Sequence, residues 1–167
     1  MKLKQALPVL LGVIVVIALF IVGTGAIGIH EFWVSFLMML YWGSLKHMDK
    51  KEILNTIAGT AFGITMPLIG LLLGQISPIG GLVYLLLMLG MVLLLLMGKL
   101  RVIINDIAMF FLTVLSITSL TQSVDQFIGY YEALAAGAAL IGILSFALGK
   151  VAKKKEEKES SKATEAI

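Results

Sequence analysis

The basic residues of this chain are confined to four short clusters, and each pair of neighbouring clusters is separated by enough apolar sequence for two membrane-spanning helices. The thirteen Lys and Arg residues are Lys2 and Lys4; Lys46, Lys50 and Lys51; Lys99 and Arg101; and Lys150, Lys153, Lys154, Lys155, Lys158 and Lys162. Basic residues that flank membrane helices are kept on the cytoplasmic side. The spacing therefore predicts six transmembrane helices with both termini in the cytoplasm.

The composition supports an integral membrane protein. Hydrophobic residues make up 59% of the chain, and the mean hydropathy is +1.03, which lies outside the range of ordinary soluble domains. The net charge of +3 does not predict a nucleic-acid partner, because the basic residues flank helices or lie in a terminal tail. The absence of Cys excludes disulfides, thiolate metal sites and cysteine nucleophiles. We expect the lipid bilayer of the inner (cytoplasmic) membrane to be the environment of this chain.

The six spans can be placed by length, since a helix needs about 20 apolar residues to cross the hydrocarbon layer. The predicted spans are residues 6–28, 32–45, 53–74, 82–98, 107–121 and 133–149. No charged residue occurs from Ile53 to Gly98, and the turn-forming segment Gln75–Gly81 divides that stretch into two spans. The first span also has features of a cleavable signal peptide. Residues 1–150 thus form the membrane domain, and residues 151–167 form a charged cytoplasmic tail, either disordered or a frayed helical extension.

The two halves of the membrane domain resemble each other. The motif of Phe36, Leu37, Leu40, Ser44 and Leu45 matches Phe111, Leu112, Leu115, Ser119 and Leu120 at a constant offset, and a helix rich in small residues follows each copy. Three spans per copy place the second copy upside down, so the pattern predicts a 3+3 inverted-topology repeat of the kind common in transporters. The alternative is that apolar helices match by composition, and that tight packing alone explains the small residues.

Charged groups are absent from the centres of the predicted spans. This argues against proton-coupled transport by a buried carboxylate. His30 and His47 lie at opposite ends of the second span, so they cannot share a metal ion, and no intramembrane histidine is available for a hydrolase. We therefore predict no enzymatic activity, no catalytic residues, no metal site and no cofactor.

Uncharged polar residues remain as candidates for a solute path. Thr113, Ser116 and Ser119 recur near helical spacing in the fifth span, and Tyr41, Trp42 and Ser44 occupy the related part of the second. The candidate path residues are Tyr41, Trp42, Ser44, Asn55, Thr60, Thr113, Ser116 and Ser119. The hydroxyl face of the fifth span can line a path, or it can be a helix interface whose hydroxyls bond to carbonyls one turn back.

The order of these features resembles a family of small bacterial inner-membrane proteins catalogued as domain of unknown function 1097. The resemblance rests on Trp33-x-x-Phe36, the pair Tyr41-Trp42, a lysine-bearing loop, a glycine-containing third span and a second copy from Phe111, collinear over residues 6–150. The fifth span is more hydroxylic, and the loop 122–132 more acidic, than the family would lead one to expect. The resemblance implies six spans and an inner-membrane location, but no activity.

Two functions are compatible with this sequence. The first is a passive channel or facilitator for a small polar solute or ion, with the second and fifth spans lining the path. The second is a non-transporting membrane assembly or regulatory protein whose lysine-rich tail meets anionic lipid or another protein. Six short helices enclose little interior, so we also expect a homo-oligomer in which a pore could form between subunits. The solute is not identified by the sequence.

Overall fold

The chain folds into six α-helices. A computed structural model describes the backbone of residues 3–165, together with the side chains of Leu7 and of residues 11–150. The helices are α1 (Leu3–Ala26), α2 (Phe32–Leu40), α3 (Ile53–Ile76), α4 (Gly80–Leu96), α5 (Asp106–Val114) and α6 (Val124–Glu165). Residues 3–165 contain no β-strand, so the prediction of an all-α protein is confirmed.

Two of these helices are long and apolar enough to cross a membrane. Within the described residues, these are the 27-residue segments Lys50–Ile76 and Val124–Lys150. Shorter apolar helices occupy Leu11–Ala26, Phe32–Leu45 and Gly80–Leu96. Six helices are therefore present, and within the described residues two of them have both the length and the hydropathy to cross a membrane.

The fifth and sixth helices differ most from their predicted bounds. The fifth span was predicted to reach residue 121, but α5 ends at Val114 and only a 3-10 turn, Thr118–Leu120, follows. Hydroxyl side chains compete for backbone groups, and Ser116 Oγ donates to the Thr113 carbonyl at 2.6 Å. Helix α6 begins nine residues before the predicted span and continues through the tail to Glu165.

Local signals in the sequence explain where α3, α4 and α5 begin. The Asn105 side chain accepts a hydrogen bond from the Ala108 amide at 3.2 Å, and Asp106 places a carboxylate in the first turn of α5. Asp49 Oδ1 accepts from the Lys51 amide in the 3-10 turn that precedes α3. Between α3 and α4, Gly80 lies directly against the Leu73 carbonyl, where no Cβ fits. A glycine is therefore required at this tight turn.

The core lies among α2, α3, α5 and α6. Helix α3 packs against α4, α5 and α6, and α2 packs against α6. The largest fully buried side chains are Trp42, Tyr130, Phe111, Phe127, Met38 and Ile64. Thr65 and Tyr131 add a polar contact between α3 and α6, with hydroxyl oxygens 2.7 Å apart.

Helices α3 and α6 each approach a short helix closely at a glycine. A Cβ on Gly63 of α3 would lie 2.7 Å from the Ala108 carbonyl oxygen and 2.8 Å from Phe111 Cβ, both on α5. A Cβ on Gly137 of α6 would lie 2.9 Å from Ser35 Cβ on α2. Glycine is needed at both positions because the neighbouring backbones approach too closely for a larger residue.

Helices α1 and α4 lie at the periphery. Helix α4 contacts α3, where the Tyr84 ring lies against Gly70, and most of its remaining side chains are exposed. Among the described side chains, α1 makes no extensive contact with another helix. Both helices therefore present apolar residues to their surroundings over most of their circumference.

Candidate functional site

The aromatic pair that follows α2 is part of the core. Tyr41 and Trp42 are buried at the start of a π-helical turn, Tyr41–Leu45, and Trp42 is only 1% exposed. The Trp42 indole Nε1 donates to the Asp49 carbonyl at 2.9 Å. This bond closes a loop in which His47 and Met48 both adopt left-handed backbone angles, with φ of 50° and 59°. Trp42 thus supports the loop after α2.

Ser44 and Asn55 lie near this loop and not deep in the core. Ser44 is exposed on the π-helical turn. Asn55 is half-buried in the first turn of α3, where its side-chain amide donates to Glu52 Oε2 at 3.3 Å and its carbonyl accepts from Asn105 Nδ2 at 2.8 Å. Asn105 therefore links the start of α5 to α3, a role that the sequence reasoning missed.

Thr60 is fully buried within α3. Among the described side chains, its Oγ1 is a buried polar atom without a hydrogen-bond partner. Thr56, one turn earlier, donates instead to the Glu52 carbonyl at 2.7 Å. An unpartnered buried hydroxyl costs free energy unless a ligand or a rearrangement satisfies it.

The three candidate path residues of the fifth predicted span, Thr113, Ser116 and Ser119, are exposed. Thr113 Oγ1 donates to the Met109 carbonyl at 2.9 Å, and Ser116 Oγ to that of Thr113. Such bonds to carbonyls of the preceding turn are the ones expected if the hydroxyl face of the fifth span is a helix interface. Ser119 lies in the 3-10 turn beyond α5, where its carbonyl accepts from Gln126 Nε2 at 3.3 Å.

Two open grooves flank the short helices. The first, which we call the α2 groove, has a volume of about 400 Å³ and is lined by Leu37, Leu40, Tyr41, Ser44, Leu45, Asp106 and Phe110. The second, which we call the α5 groove, has a volume of about 380 Å³ and is lined by Pro67, Gly70, Leu71, Tyr84, Met88, Leu112, Leu115, Ser116 and Thr121. Of the eight candidate path residues, Tyr41 and Ser44 line the α2 groove and Ser116 lines the α5 groove. The structure does not bring the eight together in one cavity.

The α5 groove combines an apolar floor with polar groups. Ser116, Thr121 and Tyr84 bring hydroxyls to it, and Pro67 adds a position with no backbone N–H. A proline inside a helix leaves the carbonyl four residues earlier, here that of Gly63, without its usual donor. Tyr84, Thr121 and Pro67 were not predicted as path residues. The proline within an apolar helix was the sequence signal that could have indicated them.

The irregular segment 115–123 forms one side of the α5 groove and is held by two residues of α6. Gln126 Oε1 accepts from the Gln122 amide at 2.8 Å and from the Ser123 amide at 3.3 Å. The Tyr130 hydroxyl donates to the Leu120 carbonyl at 2.7 Å. Side chains of α6 thus supply hydrogen bonds that the broken α5 helix does not.

The α2 groove is apolar except at its edge. Lys46 lies 5.5 Å from the centroid of the Tyr41 ring and 4.0 Å from Asp106 Oδ2, with Glu52 Oε2 at 3.8 Å on another side. Proximity to Tyr41 is the largest cause that raises the pKa of Lys46 above its ordinary value; desolvation lowers this pKa, and the charges of Glu52 and Asp106 raise it further. The groove edge therefore carries a firmly protonated amine beside a carboxylate.

Aromatic side chains fill the space between α2, α5 and α6. The Trp33 ring lies 5.3 Å from that of Tyr130 in an edge-on arrangement and 6.3 Å from that of Phe111 in a stacked one. The two grooves share no lining residue. Among the described residues, the space between α2, α5 and α6 is therefore a packed aromatic core.

Neither metal binding nor relatives define the site further. Within the described residues there is no group of three or more His, Asp or Glu side chains that could hold a metal ion. Comparisons of the chain with profiles of known families, with curated proteins and with solved structures find no match.

Proposed function

We propose that this protein is an integral membrane protein that facilitates the passage of a small polar solute, with the α5 groove as the solute-binding site. The observation that carries the proposal is the meeting of three hydroxyl residues, a helix-interrupting proline and a broken helix at one groove. Irregular backbone and interrupted helices at membrane depth are tolerated where they line a cavity. The family catalogued as domain of unknown function 1097 remains the proposed relationship.

The membrane location is supported by the apolar periphery. Leu19, Val22, Leu86, Leu89 and Leu93 lie on α1 and α4 and are each more than half exposed. Soluble monomers rarely expose apolar surfaces of this extent, whereas lipid tails cover them without cost. The basic clusters at the ends of the helix pairs favour a cytoplasmic position for both termini in the proposed six-span topology.

An inverted repeat is also part of the proposal, and the packing supports it. Helices α2 and α5 each contain nine residues and begin 74 positions apart. Gly63 and Gly137 are likewise 74 positions apart, and each contacts the short helix of the opposite half. The sequence match of Phe36 with Phe111 has an offset of 75, but Phe36 is 43% exposed whereas Phe111 is fully buried. The packing therefore favours a register one residue shorter.

The groove is closed on the α3 side by tight packing. Gly59 lies directly against Asn105, and Gly63 against Ala108. Movement of α5 away from this seam would extend the α5 groove past Gly63 towards Asn55 and Asn105. The polar side chains along this route, such as Ser116, Asn55 and Asn105, are uncharged, as passive conduction of a neutral solute requires. In this proposal, the packed arrangement is the closed state of the facilitator.

Osmotic swelling of proteoliposomes tests the proposed site. Purified protein is reconstituted, and uptake of water, urea and glycerol is followed by light scattering. Ser116→Leu fills the groove with a branched side chain, so we expect it to abolish the protein-dependent flux. Ser119→Leu is the matched control, because Ser119 is likewise exposed but does not line the groove. Flux unchanged in Ser116→Leu contradicts the assignment of the site.

A non-transporting assembly or regulatory role is the second candidate function. The observation that favours it is the filled core, since packing like that around Phe111 also suits a purely structural protein. This role predicts no flux of any solute in the panel. It also predicts that deletion of residues 152–167 alters localisation or recovery of a partner by affinity purification, whereas the facilitator tolerates that deletion.

A further inference from the structure

We propose that the α2 groove binds a phospholipid whose head group carries both a phosphate and a primary ammonium, as in phosphatidylethanolamine. The proposal rests on the membrane location that the proposed function also needs, but it does not depend on solute flux. The apolar lining of the groove and the pair of opposite charges at its edge favour this lipid.

The shape and lining of the groove suit an acyl chain. Apart from Asp106 and the Ser44 and Tyr41 hydroxyls, its lining residues are leucine and phenylalanine. Leu40 is 50% exposed and Phe110 is 43% exposed, so the walls open to the side of the molecule. Burial of a hydrocarbon chain against these side chains is favourable in proportion to the apolar area that they cover.

The charges at the edge suit a zwitterion better than a simple anion. Lys46 lies 4.0 Å from Asp106 and 3.8 Å from Glu52. Both distances exceed those of charge-assisted hydrogen bonds, so the ammonium of Lys46 retains donors for a phosphate. An anionic head group without a cation would be repelled at this edge by Asp106, whose side chain is 79% exposed. A primary ammonium is attracted by the same carboxylate.

The head group can therefore be recognised at two points. Lys46 donates to the phosphate oxygens, and Asp106 accepts from the primary ammonium of the ethanolamine. A choline head group keeps its positive charge but has no N–H, so it loses the hydrogen bond to Asp106. A glycerol head group retains the phosphate but carries no positive charge, so Asp106 does not attract it. The arrangement thus predicts that phosphatidylethanolamine is retained more strongly than either phosphatidylcholine or phosphatidylglycerol.

Native mass spectrometry of the detergent-solubilised full chain tests this inference without reference to transport. The protein is mixed with equal amounts of the three lipids, matched in acyl chains, and the retained lipid is quantified. We expect Lys46→Gln to lower retention of phosphatidylethanolamine about fivefold, the effect of losing one partly exposed ionic contact. Lys51→Gln is the control, because Lys51 is exposed and, unlike Lys46, is not paired with Tyr41 or Asp106 at the groove edge in the described residues.

Two further variants separate head-group recognition from non-specific adhesion. Asp106→Asn should remove the preference for phosphatidylethanolamine over phosphatidylglycerol while total lipid retention is maintained. Ser44→Trp should fill the groove and lower retention of all three lipids, whereas Ser119→Trp, which is outside both grooves, should not. Equal retention of the three lipids by the wild type overturns the inference, as does unchanged retention in Ser44→Trp.

Discussion

Replacement of Gly63 by alanine should destabilise the protein although alanine is the better helix former. The added Cβ would lie 2.7 Å from the Ala108 carbonyl oxygen and 2.8 Å from Phe111 Cβ. Ordinary contacts begin at 3.4 Å, so α3 and α5 must separate by about 0.7 Å. Atoms on the backbone of α5 cannot rotate away as the end of a flexible side chain can.

The magnitude follows from two opposing effects. Overpacking in a dense core costs about 1–3 kcal/mol, and the higher helix propensity of alanine returns about 1 kcal/mol. The net loss is up to about 2 kcal/mol, which lowers the melting temperature by up to about 8 °C in a protein of this size. The shift in melting temperature can be measured by thermal unfolding in detergent with tryptophan fluorescence as the signal. This signal is suitable because the buried Trp42 reports on the core.

Gly142→Ala is the matched control for this prediction. Gly142 lies in α6, and no neighbouring side chain or helix comes within 4 Å of the position that an added Cβ would occupy. The same substitution should therefore be neutral or stabilising there, by up to about 1 kcal/mol. If Gly63→Ala and Gly142→Ala shift the melting temperature in the same direction and by the same amount, the close approach of α3 to α5 is refuted.

Three further substitutions test individual contacts. Thr60→Val removes a buried hydroxyl without a partner, so thermal unfolding should show no loss of stability and a gain of up to about 1 kcal/mol; a clear loss indicates that the hydroxyl is satisfied. Asn105→Ala removes the cap of α5 and the bond to the Asn55 carbonyl, and should cost about 1–2 kcal/mol in the same assay; unchanged stability argues against that link. Tyr130→Phe frees the Leu120 carbonyl, so hydrogen exchange should accelerate in residues 115–123 and stay unchanged in α3; exchange equal to that of the wild type contradicts the role given to Tyr130.

The sequence predicted the helices better than it predicted their lengths. Apolar stretches and turn residues such as Pro78 located six helices, since these signals are local. The end of α5 was misplaced because an apolar run with interspersed hydroxyl residues is typical of a helix. In the structure, Ser116 and its neighbours bond to nearby carbonyls instead. The start of α6 was placed late because the acidic residues Asp125 and Glu132 were assigned to an outer loop.

The candidate site was predictable only in part. Ser116 was found because its hydroxyl stands out in an apolar segment, but Tyr84 and Thr121 join it only through the packing of α4 and the segment 115–123. Trp42 was assigned to a path because aromatic and polar residues adjoin it, yet its indole N–H is bonded to the Asp49 carbonyl. Contacts between helices that are far apart in the sequence decide which polar groups lie together. The periodicity of a single helix does not predict these contacts.

Cysteine accessibility in intact cells tests the six-span topology most directly. The chain has no native Cys, so single cysteines can be introduced at Ser77 and Gln122, in the proposed outer loops, and at His47 and Lys99, in the proposed cytoplasmic loops. The account predicts that a membrane-impermeant maleimide labels the first two from outside and the last two only after permeabilisation. Labelling of the Lys99→Cys variant from outside, or of all four variants alike, would contradict it.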